Sequence, residues 1–353
     1  MPRITDTMIE RSAEFIWLTG SVLDQHRFAL LAGGGNREAA RAALDAHRTA
    51  DGGFAFALEP DVKGPDPQPL AAMTALEILD EIGALDQSAG AGVCDWLARY
   101  TAPDGGVPDL LPTVSTYPRP PWVEASPQGR GGLLTTTRAV GMLLRHHVDH
   151  PWVEGATAFC RKAVDEITTS HPYEVYSVLA FLEHCPDRAW AAATAARIGA
   201  LVREAPLVLL DPANPGGIAT PPGYAEHEFS YACDYAGSPQ SIAAEWFTGE
   251  ELRTALDHLA SGQRDDGGWP IHYRLWSPAI EQQARPRATI AALRILKAWE
   301  EEALQSWDDR SSRDDRSSRL ASARGTAKKT AALHRHPHLD PAETGARGQD
   351  AQR

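Results

Sequence analysis

Apolar residues recur at helical spacing just upstream of short glycine phrases. Leu252, Ala255, Leu256 and Leu259 fall at i, i+3, i+4 and i+7, and Val93, Trp96, Leu97 and Tyr100 repeat that spacing. Residues so placed share one face of a helix, so each run predicts an amphipathic helix with a single buried stripe. The phrases that follow are Asp104-Gly105-Gly106-Val107 and Asp266-Gly267-Gly268-Trp269, and a further copy is Asp51-Gly52-Gly53-Phe54. A leucine stands seven residues upstream of each: Leu44, Leu97 and Leu259. Paired glycines suit a tight, partly left-handed turn, and the Asp side chain accepts from nearby backbone amides. A second kind of helix is predicted after the turn, from about Pro69 to Leu85 and from about Pro286 to Trp299. These segments carry Ala, Leu and Ile on most faces, which reads as burial on two sides. Each opens on a proline, which at the first helical position removes no intrahelical hydrogen bond.

The spacing of the phrases organises the chain. The first two lie 53 residues apart, and the next interval, 162 residues, is three steps of 54. A degraded copy falls between them, from Asp211 to Gly217. About six repeats of this length fill roughly the first 310 residues. Units of this size cannot each bury an apolar face alone, so they stack into an array. Two helices per unit, one more buried than the other, predict an all-α fold with an inner and an outer ring. An open solenoid is the alternative.

The segment Gln263-Arg264-Asp265-Asp266-Gly267-Gly268-Trp269 resembles the Gln–Trp repeat of squalene and terpene cyclases. Protein prenyltransferase β subunits carry a looser version. The resemblance implies an α/α toroid of about six helix pairs around a central cavity, over residues 1–305. Arg48 and Thr101 stand at the Gln position in the other two copies. The loop Glu59-Pro60-Asp61 to Gly64-Pro65-Asp66 also resembles a segment of actinobacterial proteins of the same kind. By resemblance, the function is conversion of an isoprenoid in the cavity. Cyclases that begin by protonation use a DxDD motif at the start of an inner helix. Here Asp66 falls on its first Asp, but Gln68 stands at the acid position and Pro69 at the last. An amide supplies no catalytic proton, so the acid must come from Glu59, Asp61, Asp66 or Asp234.

Clustered carboxylates near apolar walls tend to have one raised pKa, which suits a general acid. The competing reading makes Asp61 and Asp66 caps of turns and of the helix start. At least one of Glu59, Asp61 and Asp66 is expected to face the cavity. Gln68, Tyr231, Tyr235 and Trp276 are the candidates for substrate contact. Two further functions stay open. One is a non-catalytic toroid that binds an isoprenoid or a peptide. The other is a carbohydrate-active α/α ring, which needs two carboxylates, such as Asp66 with Asp234, or a base with a charge-neutralising Arg, in a groove with Trp276 and Arg274.

Charge and cysteines narrow the partners. The chain has 353 residues and a net charge of −13. From Ser306 onward it has 10 basic and 7 acidic residues, leaving 24 basic and 40 acidic before that point. So acidic a body is unsuited to general nucleic-acid or anionic-membrane binding. No run of 18 apolar residues is present, and Arg3, Asp6, Glu10 and Arg11 interrupt the start, so neither a membrane span nor a signal peptide is expected. Cys94, Cys160, Cys185 and Cys233 are scattered, which predicts reduced, buried thiols and a cytoplasmic protein. No metal site is expected. Cys233 and Asp234 adjoin, which strains a zinc site completed by His227 or His272. Magnesium enters only if the substrate is a diphosphate. Residues 306–353, with His334, His336 and His338 in alternation, read as a disordered basic tail.

Overall fold

The computed structural model describes residues 3–226 and 228–301. The predicted tail, with its histidines, and His227 lie outside them. The described chain is all-helical, with twelve α-helices and no β-strand. Odd- and even-numbered helices alternate along it. The odd set is α1 (Asp6–Thr19), α3 (Arg37–Asp45), α5 (Gln87–Ala98), α7 (Pro151–Asp165), α9 (Arg188–Glu204) and α11 (Gly249–Ser261). The even set is α2 (Val22–Leu31), α4 (Pro69–Glu81), α6 (Leu133–Arg145), α8 (Pro172–His184), the short α10 (Ala232–Tyr235) and α12 (278–301). No helix is long and apolar enough to cross a membrane among these residues.

The difference in patterning is a difference in burial. α4 buries nine of its thirteen residues, whereas α3 buries two of nine. α6 packs against both α4 and α8, so the even helices contact one another as well as the odd ones. Helix starts follow the local chemistry. Ser21 and Thr248 build capping boxes with Asp24 and Glu251, and Pro69, Pro151 and Pro172 open their helices. Two boundaries differ from the sequence reading. α4 stops at Glu81 rather than Leu85, because Gly83 adopts φ +66° and the Ala84 amide folds back onto the Leu79 carbonyl at 2.7 Å. α12 begins eight residues before Pro286, so that proline lies inside the helix. The carbonyl that loses its donor belongs to Gln282, an exposed residue, where a missing backbone bond costs least.

The three glycine phrases form one repeated turn. In each, the Asp carboxylate accepts from the amide of the second glycine, at 3.1–3.2 Å. The first glycine has φ of +93°, +94° and +89°, a region that residues with a Cβ rarely enter. The second glycine lies under an aromatic ring of another odd helix. A Cβ on Gly53 would meet the Trp96 ring at 2.5 Å, one on Gly106 the Phe159 ring at 2.7 Å, and one on Gly268 the Phe15 ring at 2.5 Å. Trp96 is on α5 and Phe159 on α7, each on the next odd helix after its turn. Phe15 is on α1. The last turn therefore rests on the first helix. Gln263 Nε2 donates to the Met8 carbonyl at 2.9 Å and to Ser12 Oγ at 3.0 Å, and Arg11 donates to the Arg264 carbonyl at 2.7 Å. Lys297 on α12 reaches the Leu31 carbonyl at the end of α2 at 3.1 Å. The degraded copy keeps the Asp bond, from the Ala213 amide to Asp211 at 3.0 Å, and a left-handed glycine, Gly217 at φ +87°, but nothing covers Gly216 or Gly217. All four cysteines are free and buried.

Candidate functional site

A cavity of about 560 Å3 lies among the even helices, walled by α4, α6, α8 and α12, with Arg27 of α2 and Glu59 of the α3–α4 connection. That volume is within the range of small-ligand pockets. Its lining follows helical periodicity: Glu77, Asp80 and Glu81 on α4, Arg138, Met142 and Arg145 on α6, Tyr176, Ala180 and Glu183 on α8, and Arg287, Ala291 and Arg294 on α12. Residues three, four and seven apart share a face, so each helix turns one stripe inward.

The walls are charged, and most charges are paired. Arg27 grips Glu81 through two bonds of 2.8 Å and Asp24 through one of 3.2 Å. Arg294 adds a third contact to Glu81 at 3.0 Å. Burial opposes the Glu81 charge, but these two arginines outweigh it and hold its carboxyl below the usual range. Asp80 receives Arg145 at 2.9 Å and contacts His146 at 2.6 Å. Glu183 accepts from Ser241 at 2.6 Å. Arg138 pairs with Glu77. Burial nonetheless pushes the Glu77 carboxyl up, against the pull of Arg138 and with added repulsion from Glu59. Arg287 is different. Its nearest carboxylate is Asp24 at 4.0 Å, and its Nε is buried without a hydrogen-bond partner.

The loop singled out from sequence divides three ways. Phe56 and Ala57 both adopt φ +56°, a left-handed conformation that costs about 1–2 kcal/mol per residue. The bend leads into Glu59, which lines the cavity and accepts from Thr74 Oγ1 at 2.8 Å. Asp61 instead accepts from the Trp276 indole N–H at 2.9 Å. Burial pushes its carboxyl up, partly countered by that bond. Lys63 crosses to Gln283 on α12. Asp66 is not in the cavity wall; it sits beside Tyr117 and Arg119. Gln68 is 1% exposed, with its amide oxygen accepting from Leu111 at 2.7 Å and its nitrogen donating to Thr113 at 2.9 Å. It braces the 111–113 segment and faces no ligand space, because the polar ends of a buried amide must be satisfied where they stand. Trp276 is likewise occupied by Asp61.

The second segment forms around α10. Asp234 accepts from the Tyr231 amide at 2.7 Å. Its side chain keeps solvent contact, yet the surrounding protein pushes its carboxyl up to about 6. Tyr235 is buried and packs on Tyr176 at 4.8 Å, while Tyr231 stacks on His258 at 4.7 Å. No cluster of three metal-ligating side chains occurs among the described residues. A carboxyl raised on folding favours the folded state most below its ordinary value of 3.8 and loses that contribution as pH rises to about 6. Asp234→Asn should therefore gain thermal stability relative to the parent protein as pH rises from 4 to 7. Melting curves across that range check it, and parallel curves would show that Asp234 titrates normally.

The arginines and Glu77 are the residues that the sequence reading missed. Their signal is the charged stripe within otherwise apolar helices: Glu77, Asp80 and Glu81 stand at i, i+3 and i+4, and Arg287 and Arg294 at i and i+7. No known protein-family profile matches the chain, and no curated protein matches it.

Proposed function

We propose that the six odd–even helix pairs close into an α/α toroid, and that its central cavity acts on an acidic saccharide by proton transfer. Support for closure comes from the turn seats. The last turn uses Phe15 of α1 as the earlier turns use Trp96 and Phe159. The functional reading is carried by Arg287, the cavity arginine with no carboxylate in hydrogen-bonding range. Its side chain is still 22% exposed and lines the cavity, so a substrate carboxylate would pair with the guanidinium there. In this reading Arg287 binds the sugar carboxylate and stabilises the charge that builds as the adjacent C–H proton leaves. Glu59 accepts that proton. Glu77, whose carboxyl burial keeps protonated to higher pH, donates to the departing glycosidic oxygen. The C–O bond breaks, and the C–H electron pair becomes a C=C bond conjugated to the carboxylate.

The isoprenoid reading is second. Charged walls stabilise a hydrocarbon cation poorly, because aromatic faces do that work in a dry chamber. What favours it is Asp234, an acid with a pKa of about 6 beside the rings of Tyr176 and Tyr235. A diphosphate substrate would then bring magnesium. The buried free thiols fit a reducing compartment such as the cytoplasm.

The test is binding and turnover with oligouronates and with prenyl diphosphates. Oligouronates should raise the melting temperature and yield the ultraviolet absorbance of the conjugated double bond. Arg287→Met should lose both effects while folding normally by circular dichroism. Unchanged oligouronate affinity in that variant overturns the assignment of Arg287, and cyclised product from a prenyl diphosphate selects the second reading.

A further inference from the structure

A second hollow, of about 440 Å3, is bordered by Asp109, Arg130, Gly131, Gly132, His171 and Tyr173. Tyr173 combines two features. Its residue is 41% exposed, yet its hydroxyl is tied down. It donates to Glu228 at 2.6 Å, and Glu228 accepts in turn from the Ala225 amide at 2.7 Å. Tyr224 packs against the ring at 4.8 Å and His171 at 5.8 Å, and His171 is held by the Pro222 carbonyl at 3.0 Å. An exposed ring fixed from behind has little freedom left to lose on binding, so it is a ready platform.

The rest of the border carries both signs, with Arg130 on one side and Asp109 and Glu174 as its carboxylates. Asp109 is occupied by the Thr135 amide at 3.0 Å, and a Cβ on Gly132 would meet its carboxylate at 2.2 Å. A Cβ on Gly131 would meet Gly106 at 2.5 Å. Bare backbone thus adjoins the hollow at both glycines. Arg130 is exposed and has no carboxylate partner among the described residues.

We propose that this hollow is a second saccharide subsite, where Tyr173 stacks on the C–H face of a sugar ring and Arg130 pairs with the carboxylate of a uronic-acid unit. It rests on the reading of the central cavity as an acidic-saccharide site. α8 links the two places. Tyr173 in its first turn borders the hollow, and Tyr176, three residues on and on the same face, lines the central cavity. One saccharide chain therefore spans both, with different units over Tyr173 and beside Arg287.

Calorimetric titration with a monomeric uronate and with oligouronates separates the two claims. Tyr173→Ala and Arg130→Gln should each weaken oligomer binding about tenfold and leave the monomer unchanged. Tyr173→Trp, which keeps the platform, should bind oligomers like the parent protein, and Arg287→Met should lose monomer and oligomer alike. Oligomer affinity unchanged in Tyr173→Ala overturns the subsite and leaves the central reading standing. Equal loss of monomer and oligomer in Tyr173→Ala, with Tyr173→Trp equally impaired, assigns the residue to scaffolding and also overturns the subsite. Failure of the parent protein to bind any uronate overturns both.

Discussion

Arg27→Met should lower the unfolding free energy by about 3–5 kcal/mol, the cost of stripping one partner from a buried ion pair. The side chains of Asp24 and Glu81 are 4% and 9% exposed, so neither has water to replace the guanidinium. Glu81 keeps Arg294, but Asp24 is left with the Ser21 cap and with Arg287 at 4.0 Å. The loss should appear as a lower denaturant midpoint at unchanged slope. Adding Asp24→Asn and Glu81→Gln to Arg27→Met should restore part of it, because the orphaned charges go with the arginine. The destabilisation should also shrink in acid, as pH falls through the depressed Glu81 pKa and the pair loses its negative member. A triple variant no more stable than the single one would mean that the arginine acts through packing alone.

The second large effect belongs to the turn that rests on α1. Gly267 has φ +89°, and a Cβ there would lie 2.0 Å from the Arg11 carbonyl oxygen. Gly52, its counterpart in the first turn, has φ +93° and nothing within 4 Å of a Cβ. Gly52→Ala should therefore carry the conformational cost alone, about 1 kcal/mol. Gly267→Ala should carry the same cost plus a steric clash with backbone, about 1–3 kcal/mol more. Chemical denaturation of the two variants measures the difference. Equal losses would show that the contact between the last turn and the first helix contributes nothing to stability.

The repeat was legible because its parts are local. An amphipathic stripe, an Asp-Gly-Gly turn and a proline at a helix start each act within a few residues, so α4, α5 and α11 could be read from sequence. The end of α4 was less so, since left-handed closure at Gly83 depends on one backbone conformation. The start of α12 differs from the sequence reading because proline suits a first helical position, yet an internal proline is tolerated where the carbonyl one turn earlier, here that of Gln282, belongs to an exposed residue. The site was harder. Glu59 was reachable as part of an acidic loop, but nothing local distinguishes it from Asp66, which leaves the cavity seven residues later. Gln68 looked like a displaced acid and is a structural brace, because its partners Leu111 and Thr113 come from a different repeat. The arginines gave a weak signal, since a charged stripe inside an apolar helix is read as solvent-facing unless the other helices are already in place around it.

The seat of the last turn has a consequence for the order of events during synthesis. Trp96 emerges 43 residues after Gly53, and Phe159 emerges 53 residues after Gly106, so those turns find their covers soon after they are made. Phe15 precedes Gly268 by 253 residues. That ring waits uncovered on α1 until almost all of the helices have left the ribosome. Closing so long a loop is slow relative to local pairing, and a chain halted before residue 268 leaves an aromatic seat vacant at its first helix. Incomplete chains are thus the form most exposed to chaperones and to association with one another.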